Sequence, residues 1–267
     1  MVDFDYARPK TVDEAAALLQ RHAEARALAG GQTLIPALKH RLARPTLLVD
    51  LQALEPLRGI TVGPQEVVVG AMVCHADVAA HAGLAAAIPA LAHLAAGIAH
   101  PQVRHMGTLG GSISNHDPAS DYPAALLGLG ATVRTQRRRI PADRFFTGLF
   151  GTALEPGELV VAVHFPRVRR AGYCKFANPA SGYVTVGAFV ALHSEGVRVA
   201  VNGASPCVFR QADFEAALAA RFEPEVLHGL RHPPDGLQAD LHASAAYRAH
   251  LVNVAARRAV SMARRLP

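Results

Sequence analysis

Twice in its first 120 residues the chain places a glycine pair beside the start of a helical pattern, at Gly30-Gly31 and at Gly110-Gly111. Glycine tolerates positive φ and lets a backbone or a ligand approach closely, so each pair predicts a sharp turn with room beside it. Around the first pair, Arg26 to Ala29 reads as a short strand. Leu34, Ile35, Leu38 and Leu42 then mark a helix face, with Pro36 tolerable only in the first turn. Upstream, Thr11 and Glu14 form a capping-box pattern ahead of Ala15, Leu18 and Leu19. Downstream, Leu47 to Leu51 reads as a buried strand. The order β-α-β-Gly-Gly-α-β predicts a compact subdomain over about residues 1–55.

From Ile60 the pattern changes. Strands are expected at Ile60 to Val62 and Val67 to Val69, divided by a Gly63-Pro64 turn. Alanine-rich helices follow at about His75 to Ala82 and Leu84 to Ala96. The second glycine pair lies between Pro101 and Pro118. A helix near Asp121 to Leu129, a strand at Ala131 to Thr135, and a strand from Leu159 to Phe165 closed by Pro166 come next. The stretch Arg167 to Gly172 reads as a linker. Beyond it, Tyr173 to Ala177, Val184 to Leu192 and Val197 to Asn202 are expected as strands. The last helix is expected from about Asp240 to Arg265, with Tyr247, Leu251 and Val254 on one face. The fold class is α+β, divided into residues 1–170 (subdomains of about 1–55 and 56–170) and residues 171–267.

Composition narrows the function. With 51% hydrophobic and 18% charged residues the chain has a globular composition. Its longest apolar stretch, Gly83 to Ala99, is interrupted by Pro89, His93 and Gly97, so no membrane span is expected. No secretory signal is visible, and a cytoplasmic location is expected. Cys74, Cys174 and Cys207 are isolated, which argues against a cysteine-built zinc or iron–sulfur site and against a disulfide framework. The net charge is +6, but clusters such as Arg137-Arg138-Arg139 carry no interleaved aromatics, so they read as solvated surface or a face for an acidic partner rather than a nucleic-acid site.

The chemistry is concentrated in the glycine segments. Ala29-Gly30-Gly31-Gln32-Thr33-Leu34 joins strand to helix, where free N–H groups attract anions; an ordinary structural turn is the competing reading. It matches neither G-x-G-x-x-G nor the Walker P-loop pattern. In the second segment Thr108, Gly110, Gly111, Ser112 and Asn115 surround the glycines, and Asp117 and Asp121 follow four residues apart. These carboxylates could accept hydrogen bonds from ribose, ribityl or amide groups. Equally, Asp117 could turn the chain before Pro118, and Asp121 could cap the next helix.

The segments AGGQTLIPALKHRLARPTLLVDL and PQVRHMGTLGGSISNHDPASDYPAALLGLGA resemble the FAD-binding medium subunit of the molybdenum hydroxylases, the carbon monoxide dehydrogenase and xanthine dehydrogenase family. The likeness runs from Phe4-Asp5-Tyr6-Ala7-Arg8-Pro9 to DLHASAAYRAHLVNVAARRAV near the end. It implies an FAD domain of the p-cresol methylhydroxylase type, made of two α/β subdomains, and a C-terminal domain with a three-stranded antiparallel sheet and helices. It also implies an oxidoreductase flavoprotein whose partners are a large molybdopterin subunit and a small subunit with two iron–sulfur clusters, assembled as a dimer of heterotrimers. Electrons would leave through the flavin to an external acceptor. No catalytic residue and no metal ligand is expected on this chain. A stand-alone flavin oxidoreductase and a cofactor-free assembly subunit are the alternatives.

Residue by residue, the resemblance implies that Ala29, Gly30, Gly31, Gln32, Thr33 and Leu34 form the first pyrophosphate loop. Thr108, Gly110, Gly111, Ser112 and Asn115 would form the second. Asp117 and Asp121 would reach polar groups of the flavin, and Val160 would make a backbone contact. Lys175 would stand near the isoalloxazine ring, where a cation stabilises negative charge gained on reduction; its plain alternative is an exposed strand lysine. Tyr183 would lie by the ring, or simply be a packed tyrosine. The chain departs from relatives in the segment between Lys175 and Tyr183, in Gln32-Thr33, and at His116, which stands where glycine is common and is expected to narrow the approach to Asp117.

Overall fold

In the computed structural model, residues 2–265 are described. Strand β1 (Asp5–Ala7) leads to helix α1 (Val12–Arg21), whose N-cap Thr11 accepts the Glu14 N–H through its hydroxyl at 3.1 Å. The Glu14 carboxylate returns to the Lys10 N–H at 2.8 Å, one residue earlier than in the standard capping box. Strand β2 (Ala25–Leu28) enters the first glycine loop, helix α2 (Leu34–Lys39) leaves it, and β3 (Leu47–Asp50) completes a parallel sheet in the order β1-β3-β2. Helix α2 is shorter than its apolar pattern suggests. Arg41 adopts φ 59° and the Leu42 N–H returns to the Ala37 carbonyl, a left-handed helix stop that leaves Leu42 83% exposed.

The second layer contains β4 (Ile60–Val62), β5 (Glu66–Gly70), α3 (His75–Ala80), α4 (Ala82–Ala87), α5 (Pro89–Ala96), α6 (Pro101–Arg104), α7 (Leu109–Asn115) and α8 (Tyr122–Leu129). After these come β6 (Thr132–Thr135), β7 (Arg139–Pro141), α9 (Ala142–Phe145), the hairpin β8 (Phe146–Gly148) and β9 (Gly151–Thr152), and β10 (Val160–Pro166). The antiparallel sheet has the order β4-β5-β10-β6-β7. The alanine-rich region, expected as two helices, forms three. His81 Nδ1 accepts the Leu84 N–H at the start of α4, and Pro89 opens α5 at the position where a missing N–H costs nothing.

The C-terminal part holds β11 (Arg170–Ala177), β12 (Val184–Leu192), β13 (Val197–Asn202), β14 (Phe209–Arg210), α10 (Ala212–Ala220) and α11 (Ala245–Arg265). The antiparallel sheet follows chain order, and the two-residue β14 adds a short fourth strand to the three expected. Half of the supposed linker is strand, since Arg170, Ala171 and Gly172 pair with Leu192, Ala191 and Val190. Helix α11 begins at Ala245 because Asp240 is occupied as a turn, accepting the N–H groups of His242 and Ala243 and pairing with Arg248 at 2.6 Å. The buried face of α11 runs through Leu251, Val252, Ala255, Ala256, Ala259, Val260 and Ala263. Tyr247 is exposed and Val254 only half-buried, so the expected stripe is one edge of that face.

Every residue of α8 is buried, and so is its N-cap Asp121. This helix joins the second layer to the C-terminal sheet: one hydrophobic cluster includes Ala124, Leu126 and Leu129 together with Tyr173, Phe189 and Ala200. Phe189 lies directly against Gly128. We expect Phe189→Ala to cost about 3–5 kcal/mol, the range for deleting a fully buried aromatic ring. Chemical denaturation followed by circular dichroism measures it; a loss under about 1 kcal/mol would contradict a single shared core.

Candidate functional site

A cleft of about 1010 Å³ lies between the parallel sheet and the five-stranded sheet. Fifteen of the sixteen residues singled out from sequence line it: the run Ala29 to Leu34, then Thr108, Gly110, Gly111, Ser112, Asn115, Asp117, Asp121, Val160 and Tyr183. Lys175 does not. It lines a separate pocket of about 190 Å³ and meets residues of the cleft through Asp121 and the Gly182 carbonyl.

The two glycine loops touch. A Cβ on Gly30 would collide with the Met106 carbonyl, and one on Gly111 would press on the Thr108 hydroxyl at 2.9 Å and sit 3.5 Å from the Ala29 methyl. Gly31 takes φ 70°, which turns β2 into α2. The loops differ in what they offer. Among the described residues, the backbone N–H groups of Gly30, Gly31, Gln32, Thr33 and Leu34 donate to no protein acceptor. Five consecutive donors bordering a cleft form an anion-binding edge. In the second loop the donors are already used. The Leu109 and Gly110 N–H groups bond the Val73 and Ala71 carbonyls at 3.0 and 2.8 Å, and Gly111 N–H bonds the Thr108 hydroxyl at 3.1 Å. What α7 presents is a polar stripe, Thr108, Gly111, Ser112 and Asn115, at helical spacing, while Leu109 and Ile113 face the core. Gly110 packs on Ala71, where a Cβ would meet the Ala71 carbonyl at 2.7 Å.

At the other end stand two carboxylates. Asp117 Oδ1 accepts the Ala119 N–H at 2.9 Å, so it does turn the chain, and it also borders the cleft. Asp121 occupies an N-cap position without capping α8. Its Oδ1 accepts the Tyr173 hydroxyl and Lys175 Nζ, each at 2.9 Å. Asn202 extends this network, donating to Tyr173 Oη at 3.3 Å and to the Ser120 carbonyl at 2.7 Å. Burial raises the Asp121 pKa and the Lys175 charge opposes that shift. Tyr183, 46% exposed, borders the cleft near both acids; burial and their charges raise its pKa. Val160 starts β10 at a bulge in its pairing with β6.

His116 does not narrow the approach to Asp117. It is fully buried in the left-handed conformation, φ 43°, with Nδ1 2.8 Å from the Gly151 carbonyl and its ring 4.5 Å from that of Phe146. The left-handed backbone explains why glycine suits this position. Lys175, 13% exposed in its side chain, is not the exposed strand lysine of the plain reading. Sequence reasoning missed His75, Ser114 and Glu158, which also line the cleft. His75 is pushed down to about 4 by burial, with Arg104 adding to it, so it is neutral at physiological pH. Ser114 could have been found beside Ser112 and Asn115; nothing local marks the other two. Arg138, taken as solvated surface, clamps buried Glu158 at 2.9 and 2.8 Å.

Anion-binding backbone at one end, carboxylates at the other and a cleft of this size define a site for an elongated nucleotide cofactor. Residues 2–168 match the family described as the FAD binding domain in molybdopterin dehydrogenase. The chain is 42% identical over 202 residues to the carbon monoxide dehydrogenase medium chain of Afipia carboxidovorans, covering 72% of this chain and 70% of that one. It is 33% identical to the nicotine 6-hydroxylase medium subunit of Paenarthrobacter nicotinovorans over 96% of this chain and 95% of that one. Among solved structures, a reconstituted CO dehydrogenase from Oligotropha carboxidovorans superimposes with a TM-score of 0.91 at 32% identity, covering 99% of both chains. Quinoline 2-oxidoreductase from Pseudomonas putida 86 gives 0.88 at 28% identity, covering 98% of this chain and 97% of that one. The chain belongs to the family of FAD-binding domains of molybdopterin dehydrogenases, and it is an FAD-binding oxidoreductase component.

Two outcomes test the site. Gly111→Leu should abolish FAD binding in a fluorescence titration while retaining the native circular dichroism, whereas Gly110→Leu should unfold the protein because it faces the Ala71 backbone. Equal flavin affinity of Gly111→Leu and wild type would refute the assignment. Separately, the Arg138 hydrogen bonds hold Glu158 down to about 2 from its ordinary 4.5. A depressed carboxylate stabilises the fold above its unfolded pKa and loses that contribution as pH falls through the folded one. Stability should therefore decline between about pH 4.5 and 2, and Glu158→Gln should flatten this decline in denaturant titrations at several pH values.

Proposed function

We propose that the chain is the flavin-bearing electron-transfer subunit of a molybdenum hydroxylase complex, receiving electrons from iron–sulfur clusters on a small partner and releasing them to an external acceptor. The observation that carries this reading is the five-donor edge at Gly30 to Leu34, placed across one cleft from Asp117 and Asp121. FAD, when bound, supplies a carrier able to exchange one or two electrons.

The chain's own residues hold and orient that carrier. The N–H groups of residues 30–34 bind the pyrophosphate, whose charge suits an edge of unpaired donors. The polar stripe of α7 completes this cradle. Asp117 and Asp121 accept hydrogen bonds from the sugar alcohol or the ring amide, and Val160 contributes backbone at the bulge. Tyr183 covers the ring end and keeps water from it. Lys175 serves the site through Asp121. In this reading residues 1–170 form the FAD domain and residues 171–267 a C-terminal domain that closes the ring end.

Several relatives are named medium chain or medium subunit, which supports a place beside a larger and a smaller partner subunit. In this reading the larger partner carries molybdopterin, the smaller one the iron–sulfur clusters, and the assembly is a dimer of heterotrimers in the cytoplasm. Their names span carbon monoxide, nicotine and caffeine. Such different substrates among relatives of this one chain support a substrate pocket outside it. No helix among the described residues is long and apolar enough to cross a membrane.

Purified full-length protein incubated with FAD and freed of excess should retain a flavin absorption spectrum, and should co-purify with the two partner subunits when co-expressed. A protein that stays colourless would overturn the proposal, and flavin retention without association with either partner would favour a stand-alone flavoprotein.

A further inference from the structure

Lys175 combines three contacts that a cation offered to a ligand would not need. Its Nζ lies 2.9 Å from Asp121 Oδ1, 2.8 Å from the Gly97 carbonyl and 3.3 Å from the Gly182 carbonyl. An ammonium has three N–H bonds, so these partners use all of them. The side chain reaches its partners from behind the cleft, through the smaller pocket that it lines with His93, Leu94, Tyr173, Cys174 and Met262. Tyr173 donates to the same Asp121 oxygen, while no protein donor reaches Asp121 Oδ2 among the described residues.

Each partner belongs to a different part of the cleft rim. Asp121 precedes α8. Gly97 leads directly into Ile98, Ala99 and His100, all of which line the cleft. Gly182 precedes Tyr183 in a loop closed on itself, with the Asn178 N–H donating to the Tyr183 carbonyl and the Gly182 N–H to the Asn178 carbonyl. The two rim turns abut, since a Cβ on Gly182 would lie 3.5 Å from Ala99 Cα. Few other bonds anchor the 178–182 loop: Asn178 Oδ1 takes the Ala180 N–H, and the Ser181 hydroxyl takes the Tyr183 N–H, both within the loop.

We propose that Lys175 is a positioning residue that ties the Asp121 carboxylate, the Gly97 turn and the Gly182 carbonyl into one rim, so fixing Asp121 Oδ2 and the Tyr183 ring over the cleft, rather than a cation presented to the cofactor. The proposal rests on the FAD reading for its consequence, but the tie itself is a property of the protein alone. A buried ammonium bonded to a carboxylate and two carbonyls is held far more firmly than an exposed ion pair.

The test compares Asp121→Asn, in which Lys175 keeps only its two carbonyl partners, with Asp121→Asn/Lys175→Met and Asp121→Asn/Lys175→Arg, so that the carboxylate is removed throughout and only the lysine varies. Hydrogen exchange over residues 178–183 reads the tie, and a fluorescence titration with FAD reads its effect. Adding Lys175→Met should speed exchange in that loop and weaken FAD binding, each by about 10-fold, the loss typical of charge-assisted hydrogen bonds, and Arg should restore part of both. Identical exchange and affinity in Asp121→Asn and Asp121→Asn/Lys175→Met would overturn the proposal. Weaker FAD binding with unchanged loop exchange would also overturn it, because it would mean direct contact. If the double variant is unstable, Lys175→Gln against wild type still reads the loop, although it also leaves Asp121 without its counter-charge, and unchanged exchange there is equally fatal. Faster loop exchange on adding Lys175→Met, in a protein whose wild type binds no FAD, would uphold the tie and reject the FAD reading instead.

Discussion

The cleft depends on one close contact, the approach of the Gly30 backbone to the Met106 carbonyl and the Gly107 Cα. Any side chain at Gly30 would push the first loop away from the second. The contact lets an N–H edge on one subdomain face a polar helix stripe on the other without a wall between them. The second loop is in turn anchored to the segment after β5 by the Leu109 and Gly110 N–H bonds to Val73 and Ala71. The second loop and the core are therefore joined by hydrogen bonds, the first loop meets them by close packing, and the donors left over are those at residues 30–34.

The opposite end of the cleft is held by the C-terminal sheet. Tyr173 on β11 and Asn202 on β13 converge on Asp121 and the Ser120 carbonyl, so strands beyond residue 170 set the carboxylate that borders the cleft. Burying a carboxylate is costly unless it is paired with a counter-charge and hydrogen-bonded. Asp121 meets that condition only while α8 is packed against β12 and β13. The hydrophobic contact between the two parts is thus what allows a charged group at their seam.

Local patterns in the chain were legible where a single element decides them. Thr11 capped α1, the strand at Val160–Pro166 ended at its proline, and the cleft residues from Ala29 to Asp121 followed from glycine pairs and polar residues at helical spacing. Arg167 to Gly172 looked like a linker because arginine and glycine disfavour a strand in isolation, yet pairing with β12 recruits half of it. Leu42 and Tyr247 fitted an apolar periodicity and are exposed, since periodicity marks a face without saying how far the helix or its partner extends.

By itself the sequence determined the two glycine turns, the helix and strand types around them, and the family likeness they carry, because each rests on the conformational limits of neighbouring residues. Tertiary structure alone decided which loop keeps free N–H donors, that Asp121 pairs rather than caps, that His116 turns inward, and that Lys175 pairs with Asp121 and lines a separate pocket. These depend on partners 50 or more residues distant in several cases, such as Tyr173 with Asp121 and Lys175 with Gly97. Which of two hydrogen-bond partners a buried polar group takes is settled by the packing that brings one of them within 3 Å, and no local pattern records that choice.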